Sequence, residues 1–288
     1  ALSAGATAAT IASKPAAAES FQIGGIHVDR YGSGDRSIIF VPGLASGPWT
    51  WYEQIARFAP QYTVYSLTLA GFDGTPASDD SDKMATFSRD FFGLLDARHV
   101  SKPVVVGHSL GGTLAIMLAE EHSERLGGIV AVDGLPVYPL LAQASVDARA
   151  TAGKTAAAQY QAMSHDQLVQ YETNFLTTMG TTDPKVVATL ANLVATSDSK
   201  TVAAWLQADF NADLRPQLSK INVPFLEVMP YAQPYPYSES DTLAFYKQLL
   251  SGAPTAQVLE LTPARHYAML DQPDKFDALL TTFLNSVH

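Results

Sequence analysis

The stretch that most constrains this chain runs from Val104 to Gly112 and reads VVVGHSLGG. Its three β-branched residues predict a short buried strand, and the apolar run Thr113–Ala119 behind it predicts a helix. Gly-x-Ser-x-Gly lies between them, with Ser109 at its centre. A serine on such a strand-to-helix turn has its hydroxyl exposed at the end of the sheet, and the flanking glycines permit a strained turn and close packing. The stretch therefore predicts a nucleophilic serine.

Short apolar strands alternate with helical patterns on both sides of this motif. One or two strands are predicted within Phe21–Tyr31, and others over Ser37–Val41, Tyr62–Leu69, Gly128–Asp133, Val223–Met229 and Ala256–Leu261. Helical patterns fall between the strands, at about Pro48–Phe58, Met84–Ala97, Asp241–Leu250 and Pro273–Asn285. This alternation predicts an α/β fold with a mainly parallel sheet covered by helices on both faces.

Residues Leu140 to about Leu218 have a different texture, rich in Ala, Gln, Thr and Asp and without a strong strand pattern. Helices fit best there, at about Ala142–Ala150, Ala156–Met163, Asp166–Met179, Pro184–Thr196 and Thr201–Asp209. An all-helical stretch between two sheet strands is typical of an inserted cap. The expected organisation is an α/β core over residues 21–136 and 219–288, with a helical cap over residues 137–218.

Residues 1–20 are rich in Ala, Ser and Thr and show no core-forming pattern. Small residues of this kind suit the cleavage site of a secretory signal, which predicts export to the periplasm or the medium. A flexible leader on a cytoplasmic protein is the alternative.

Composition excludes several classes of function. The chain has 288 residues, of which 47% are hydrophobic and 16% charged, so a sizeable core is expected. A net charge of −10 disfavours a nucleic-acid partner and anionic membranes. The absence of cysteine excludes disulfides and thiolate chemistry, and no apolar run approaches the roughly 20 residues of a membrane-spanning helix.

A serine hydroxyl is a weak nucleophile until a base within hydrogen-bond reach takes its proton. Of the seven histidines, His266 fits best, because it follows the last predicted strand, at the sheet edge where catalytic groups gather. His27 and His99 precede the serine, His165 lies in the cap and His288 is the last residue. The turn directs His108 away from the serine, and His122 lies too far along the following helix.

Several short segments together resemble the serine branch of the α/β-hydrolase superfamily. The Ser109 turn is similar to that family's nucleophile elbow, and Val41–Leu44 resembles its oxyanion loop. Ala70–Thr75 resembles the loop after its fourth strand, and Arg265-His266 its histidine loop. The resemblance covers the chain from Phe21 onward except the cap, and it implies an esterase-like enzyme with a helical cap.

The oxyanion loop departs from the family pattern, which usually begins His-Gly, because this chain has Pro42-Gly43. The tight turn is retained, so the resemblance implies that the backbone N–H groups of Leu44 and Leu110 form the oxyanion hole. Each such donor is worth roughly 3 kcal/mol in the transition state.

The acid of the catalytic triad is a second departure. The family commonly places an Asp just after the seventh strand, where this chain has the neutral Gln233. Asp133 ends the strand after the nucleophile strand, as in some family branches, and keeps the order Ser109, Asp133, His266. An ordinary turn-capping role for Asp133 is the alternative, with Glu239 or Asp241 as the acid.

The resemblance implies acyl transfer through an acyl-enzyme, which requires no metal or organic cofactor. The expected substrate is a small to medium, neutral ester with an apolar part. Alternatives are the same triad acting as an amidase, iminopeptidase, lactonase, C–C hydrolase or perhydrolase, or a ligand-binding protein on the same scaffold. An enzyme that acts on free amino termini needs acidic residues in the cap, where Glu172, Asp209 and Asp213 lie.

Aromatic residues of the cap and of the loop after the seventh strand are candidates for an apolar substrate pocket, although simple packing explains such residues as well. The candidates are Trp49, Tyr138, Trp205, Tyr231, Tyr235 and Tyr237.

Overall fold

A computed structural model describes residues 11–287, and eight strands of this part of the chain form one sheet. In chain order the strands are β1 (Glu19–Ile23), β2 (Ile26–Tyr31), β3 (Ser37–Val41), β4 (Thr63–Leu69), β5 (Val104–His108), β6 (Gly128–Val132), β7 (Phe225–Pro230) and β8 (Ala256–Leu261). Their order across the sheet is β1-β2-β4-β3-β5-β6-β7-β8. β2 pairs antiparallel with β1 and with β4, and all other neighbours pair in parallel. The predicted α/β class with a mainly parallel sheet is confirmed.

Helices flank the sheet and form the segment between β6 and β7. They are α1 (Tyr52–Phe58), α2 (Lys83–Arg98), α3 (Leu110–His122), α4 (Val146–Ala162), α5 (His165–Phe175), α6 (Val187–Val194), α7 (Ser199–Asn211), α8 (Glu239–Leu249), α9 (Ala268–Asp271) and α10 (Pro273–Ser286). In the described residues no helix has the length and apolar character that crossing a membrane requires.

The strand order creates a crevice at the carboxyl ends of β3 and β5. From β3 the chain moves to β4 on one side, and it then returns past β3 to β5 on the other side. Loops that leave neighbouring parallel strands in opposite directions open a gap at this edge, where ligands of such sheets bind. Val105 and Val106 of β5 are fully buried, so the turn at Ser109 begins from the rigid centre of the molecule.

The segment between β6 and β7 differs in detail from the predicted helices. The expected break between residues 150 and 156 is wrong, because α4 runs without interruption through Gly153. This glycine faces α7, and a Cβ on it would come within 3.2 Å of the Gln207 carbonyl oxygen. Gly153 therefore permits close packing of two helices and does not end one of them. The two ends of the segment meet, since the Leu214 N–H donates to the Pro136 carbonyl at 2.7 Å.

Residues 1–10 lie outside the described residues, so the predicted leader or signal remnant remains a prediction there. Residues 11–18 lead into β1 and contact the sheet. The Lys14 ammonium lies 2.8 Å from the buried Asp29 carboxylate, and the Ala18 N–H donates to the Arg30 carbonyl at 2.8 Å.

Two helical glycines predict opposite stability changes on substitution by alanine. A Cβ at Gly111 would lie 2.4 Å from the Val41 carbonyl oxygen, so Gly111→Ala forces backbone apart and should lower the free energy of unfolding by about 1–3 kcal/mol. Gly93 lies within α2, and its Cβ would meet only the Ile23 side chain, at 3.8 Å. Gly93→Ala should therefore raise stability by up to about 1 kcal/mol. Urea unfolding of the two variants measures both effects, and equal effects would contradict this account of the packing.

Candidate active site

Ser109 occupies a strained turn between β5 and α3. Its backbone angles are φ 54° and ψ −123°, a region that residues with a side chain rarely adopt. The turn fits only because its neighbours are small: a Cβ on Gly107 would come within 2.0 Å of the Gly111 carbonyl oxygen. Ser109 is partly exposed while the residues on either side of it are buried. The backbone thus presents the hydroxyl at the crevice, as the motif predicts.

The loop after β3 lies directly against this turn. A Cβ on Gly43 would meet the Cβ of Ser109 at 3.1 Å and the ring of His108 at 2.8 Å, so only glycine fits this close approach. The N–H groups of Leu44 and Leu110 donate no backbone hydrogen bond within the described residues. Leu110 is the first residue of α3, where the N–H has no partner inside the helix and carries the positive end of the helix dipole.

His266 and Asp133 come together from two different loops. His266 follows β8 and Asp133 follows β6, so both stand at the carboxyl edge of the sheet. The Nδ1 atom of His266 lies 2.5 Å from the Asp133 Oδ2. Burial opposes ionisation of Asp133, but the nearby His266 and the hydrogen bonds outweigh it and hold the pKa of this carboxyl below its usual value. The ionised carboxylate fixes Nδ1 as the protonated nitrogen and leaves Nε2 free to act as a base.

Two further residues, Tyr246 and Glu227, lie next to Asp133, and no sequence motif marks either of them. The Tyr246 hydroxyl of α8 donates to the second oxygen of Asp133. Glu227 of β7 is fully buried beside it and accepts a hydrogen bond from the Gly134 N–H at 3.3 Å. Burial and the charge of Asp133 raise the pKa of Glu227 well above its usual value, so this carboxyl is neutral and adds no second charge. Of the two neighbouring carboxyl groups only Asp133 is therefore ionised, and its second oxygen accepts the hydrogen bond from Tyr246.

His108 contacts the loop that carries His266. Its Nε2 lies 2.9 Å from the His266 carbonyl oxygen, and the centres of the two rings are 4.6 Å apart. Complete burial holds the pKa of His108 well below its usual value, so the ring is neutral and Nε2 donates the hydrogen bond. The sequence predicts that His108 points away from the Ser109 hydroxyl. Its contact is instead with the His266 carbonyl, and it joins the His266 loop to the residue before Ser109.

The loop that carries His266 is also fastened to the helical segment above it. The His266 N–H donates to the Met179 carbonyl at 3.0 Å, and the Tyr267 N–H donates to that of Gly180 at 2.8 Å. Asp271 accepts hydrogen bonds from Thr181 at 2.5 Å and from the Arg265 N–H at 2.8 Å. The segment at 176–182 is therefore part of the wall of the site.

The alternative acids stand away from His266. Glu239 and Asp241 are exposed in the first turn of α8, where Asp241 hydrogen-bonds to the Ser238 hydroxyl at 2.7 Å. Gln233 donates to the Tyr231 hydroxyl at 2.6 Å.

The predicted pocket aromatics divide into separate groups. Trp49 stacks against Tyr267, with ring centres 5.8 Å apart, and it therefore borders the histidine loop. Tyr138 lies on Phe210 of α7 at 4.1 Å, where the core meets the helical segment. Trp205 is buried between the rings of Phe72 and Phe87, which is a packing position.

Tyr231, Tyr235 and Tyr237 contact one another in the loop that follows β7. The Tyr231 and Tyr235 rings meet edge to face at 6.0 Å, and the Tyr231 hydroxyl donates to the Tyr237 carbonyl at 3.0 Å. Tyr231 and Tyr235 pack with Tyr246 in the apolar cluster under α8, whereas the Tyr237 side chain is 63% exposed.

Comparison with known proteins agrees with this architecture. The model of the alpha/beta hydrolase family matches residues 38–279, and the chain belongs to that family.

Individual relatives are distant but cover most of the chain. The chain is 24% identical to 3-oxoadipate enol-lactonase 2 of Acinetobacter baylyi, over 86% of this chain and 88% of that protein. It is also 24% identical to pimeloyl-[acyl-carrier protein] methyl ester esterase of Yersinia pseudotuberculosis, over 88% and 94%. The solved structure of a thermophilic esterase from Thermogutta terrifontis superposes with a TM-score of 0.76 at 18% identity, covering 94% of this chain and all of that one (100%).

Asp133→Asn tests the importance of the carboxylate next to His266. The amide keeps the shape but can present a donor to Nδ1, which favours the wrong tautomer of the imidazole. We expect kcat on a p-nitrophenyl ester to fall by roughly 10³-fold or more, with an unchanged circular dichroism spectrum. Tyr246→Phe removes only one hydrogen bond to Asp133 and should cost roughly 10-fold. Near-normal turnover by Asp133→Asn would contradict the assigned role.

Glu227→Gln tests the neutral carboxyl through the pH dependence of stability. The pKa of Glu227 is raised in the folded state, so the unfolded chain releases this proton at a lower pH, and stability is lost as the pH rises above the unfolded value of about 4.3. Glutamine retains the acceptor and has no proton to release. The free energy of unfolding of Glu227→Gln should therefore exceed that of the wild type at pH 8 and approach it near pH 4. A difference of the same size at both pH values would contradict a raised pKa.

Proposed function

We propose that this protein is a serine hydrolase that cleaves carboxylic esters through an acyl-enzyme on Ser109. The observation that carries the proposal is the Asp133–His266 hydrogen bond of 2.5 Å in the loop that rests on His108, next to the strained Ser109. A surface histidine has no need of a partly buried carboxylate to fix its tautomer. A structural serine has no need of a costly backbone conformation.

The proposed reaction begins when Ser109 attacks the ester carbonyl and His266 Nε2 takes the serine proton. The charge that develops on the carbonyl oxygen is stabilised by the N–H groups of Leu44 and Leu110. His266 then gives its proton to the departing alcohol, and Asp133 stabilises the imidazolium between these steps. Water, deprotonated by His266, releases the acid and restores Ser109.

The proposed substrates are small to medium esters with an apolar acyl or aryl part. Support comes from the rings of Trp49 and Tyr267, which contact each other beside His266. A carboxylate on the substrate is disfavoured, because the ionised Asp133 lies in the site and the nearby Arg265 donates its guanidinium N–H to the Thr177 and Thr181 carbonyls.

Cleavage of a lactone is the second candidate, since a lactone is a cyclic ester and requires the same groups. The similarity to an enol-lactonase over 86% of the chain favours testing it. A methyl ester esterase at the same identity favours open-chain esters, so both kinds of ester belong in the same panel.

Labelling with a serine-directed fluorophosphonate tests the proposal. We expect a single adduct on the Ser109 peptide in mass spectrometry. An activated serine attacks the phosphorus and displaces fluoride, and the two N–H groups of Leu44 and Leu110 stabilise the charged oxygen on phosphorus. Ser109→Ala should show no adduct, whereas Ser46→Ala should label like the wild type, since the buried Ser46 hydroxyl is engaged with Tyr267.

An adduct elsewhere would contradict the proposed nucleophile. No adduct at all, under conditions that label a known serine esterase, would instead favour a ligand-binding protein on this scaffold.

A further inference from the structure

Glu172 is a buried carboxyl group of the helical segment for which the reaction above has no use. It lies on α5 with only 9% of its surface exposed. His266 is the sole charged group in residues 11–287 that acts on this carboxyl, and burial raises the pKa of Glu172 to about 7. Within the described residues its oxygens form no hydrogen bond or ion pair, yet they retain some contact with solvent. The carboxyl is therefore not completely shielded from solvent.

The orientation of α5 directs Glu172 toward the catalytic histidine. Phe175 lies three residues further along the same helix, and residues at this spacing share one face. The Phe175 ring meets the His266 ring edge to face at 5.6 Å. The same face of α5 that covers His266 thus carries the Glu172 carboxyl.

Tyrosine rings surround this position. Tyr160 and Tyr171 meet edge to face at 6.2 Å, and the charge of Glu172 acts on both hydroxyls and on that of Tyr267. Aromatic faces attract organic cations, and the attraction is strongest where water is excluded. A carboxyl group bordered by tyrosines is therefore suited to a cationic amine and unsuited to an anion.

The cationic side chains nearby are already engaged. Asp213, the last acid of this segment, is paired with Arg215 at 2.7 Å and with Arg149 at 3.4 Å. Asp209 of α7 resembles Glu172 instead: within the described residues His266 alone among charged groups acts on it, and burial raises its pKa to about 7. Within residues 11–287 Glu172 and Asp209 thus have no ion pair, whereas Asp213 has two.

An unpaired buried carboxylate is costly, and a cation beside it offsets the cost. We propose that Glu172 forms one wall of a subsite for a cationic amine, with Asp209 adding negative potential, so that the ester cleaved at Ser109 carries an ammonium group at one end. This inference rests on the proposed function. It replaces a wholly neutral substrate with one that is apolar near the reacting carbonyl and positively charged beyond it.

Two pairs of esters that differ only in charge test the proposal. One pair carries the charge on the acyl side, the p-nitrophenyl esters of 4-(trimethylammonio)butyrate and of its carbon isostere 5,5-dimethylhexanoate. The other carries it on the alcohol side, acetylcholine and 3,3-dimethylbutyl acetate. Within each pair the ratio of kcat/KM, charged over neutral, isolates the effect of charge from that of size.

We expect a ratio of about 10 or more in at least one pair, which corresponds to about 1.4 kcal/mol, and we expect Glu172→Gln to bring it close to 1. Asp166→Asn is the matched control, because Asp166 lies exposed in the first turn of the same helix and loses the same charge. This control should retain the ratio. A general loss of packing would lower both members of a pair and leave their ratio unchanged.

A ratio near 1 in both pairs, or a ratio that Glu172→Gln retains, would overturn the subsite. Calorimetric binding of the same four esters to Ser109→Ala separates this result from failure of the proposed function. If the wild type hydrolyses none of them, ester cleavage is contradicted, and the subsite is then judged on the ratio of dissociation constants alone. Tighter binding of a charged ester that disappears in Ser109→Ala/Glu172→Gln would support the subsite, and equal binding would refute it.

Discussion

The hydrogen bond between His266 and Asp133 joins the two halves of the core across the inserted helical segment. Asp133 follows β6, before the insertion, and His266 follows β8, after it. The bond depends on the pairing of β6, β7 and β8, because Asp133 comes directly after β6 and His266 lies in the loop that follows β8. The Tyr246 hydroxyl donates to the other oxygen of the Asp133 carboxylate. Glu227 beside it is neutral, so it does not repel that carboxylate. The surrounding packing thus holds one ionised carboxylate in a partly buried position beside His266.

Much of the fold could be predicted from sequence, because strand and helix patterns here are strong and local. Buried parallel strands such as Val104–Val106 have few other interpretations. The helical segment was harder, since its Ala-rich sequences carry weak periodicity and tertiary contacts decide where helices end. Gly153 indicates a break when the sequence is considered alone, yet it is the residue that lets α4 approach α7.

The site divides in the same way. Ser109 lies in a motif whose backbone requirements are local, and His266 was found by elimination among few histidines. Asp133 was the predicted partner of His266 with Glu239 and Asp241 as alternatives, and only the structure shows the contact with His266. Tyr246 and His108 gave no comparable signal, and Glu172 could be named only as one of three candidate acids in the helical segment, because their positions depend on where α8, the turn before Ser109 and α5 pack in three dimensions. Aromatic residues were a poor guide to the pocket, since Trp205 and Tyr231 pack into apolar clusters.

In the proposed reaction, Asp133 and His266 make Ser109 a nucleophile that carries the acyl group. The most direct measurement is acid quenching during turnover of p-nitrophenyl trimethylacetate, whose hindered acyl group slows the second half of the reaction, followed by peptide mapping in a mass spectrometer. The account predicts a trimethylacetyl group on Ser109 in the wild type and none in His266→Ala. Release of p-nitrophenol with Ser109 unmodified and the acyl group on another residue would contradict it.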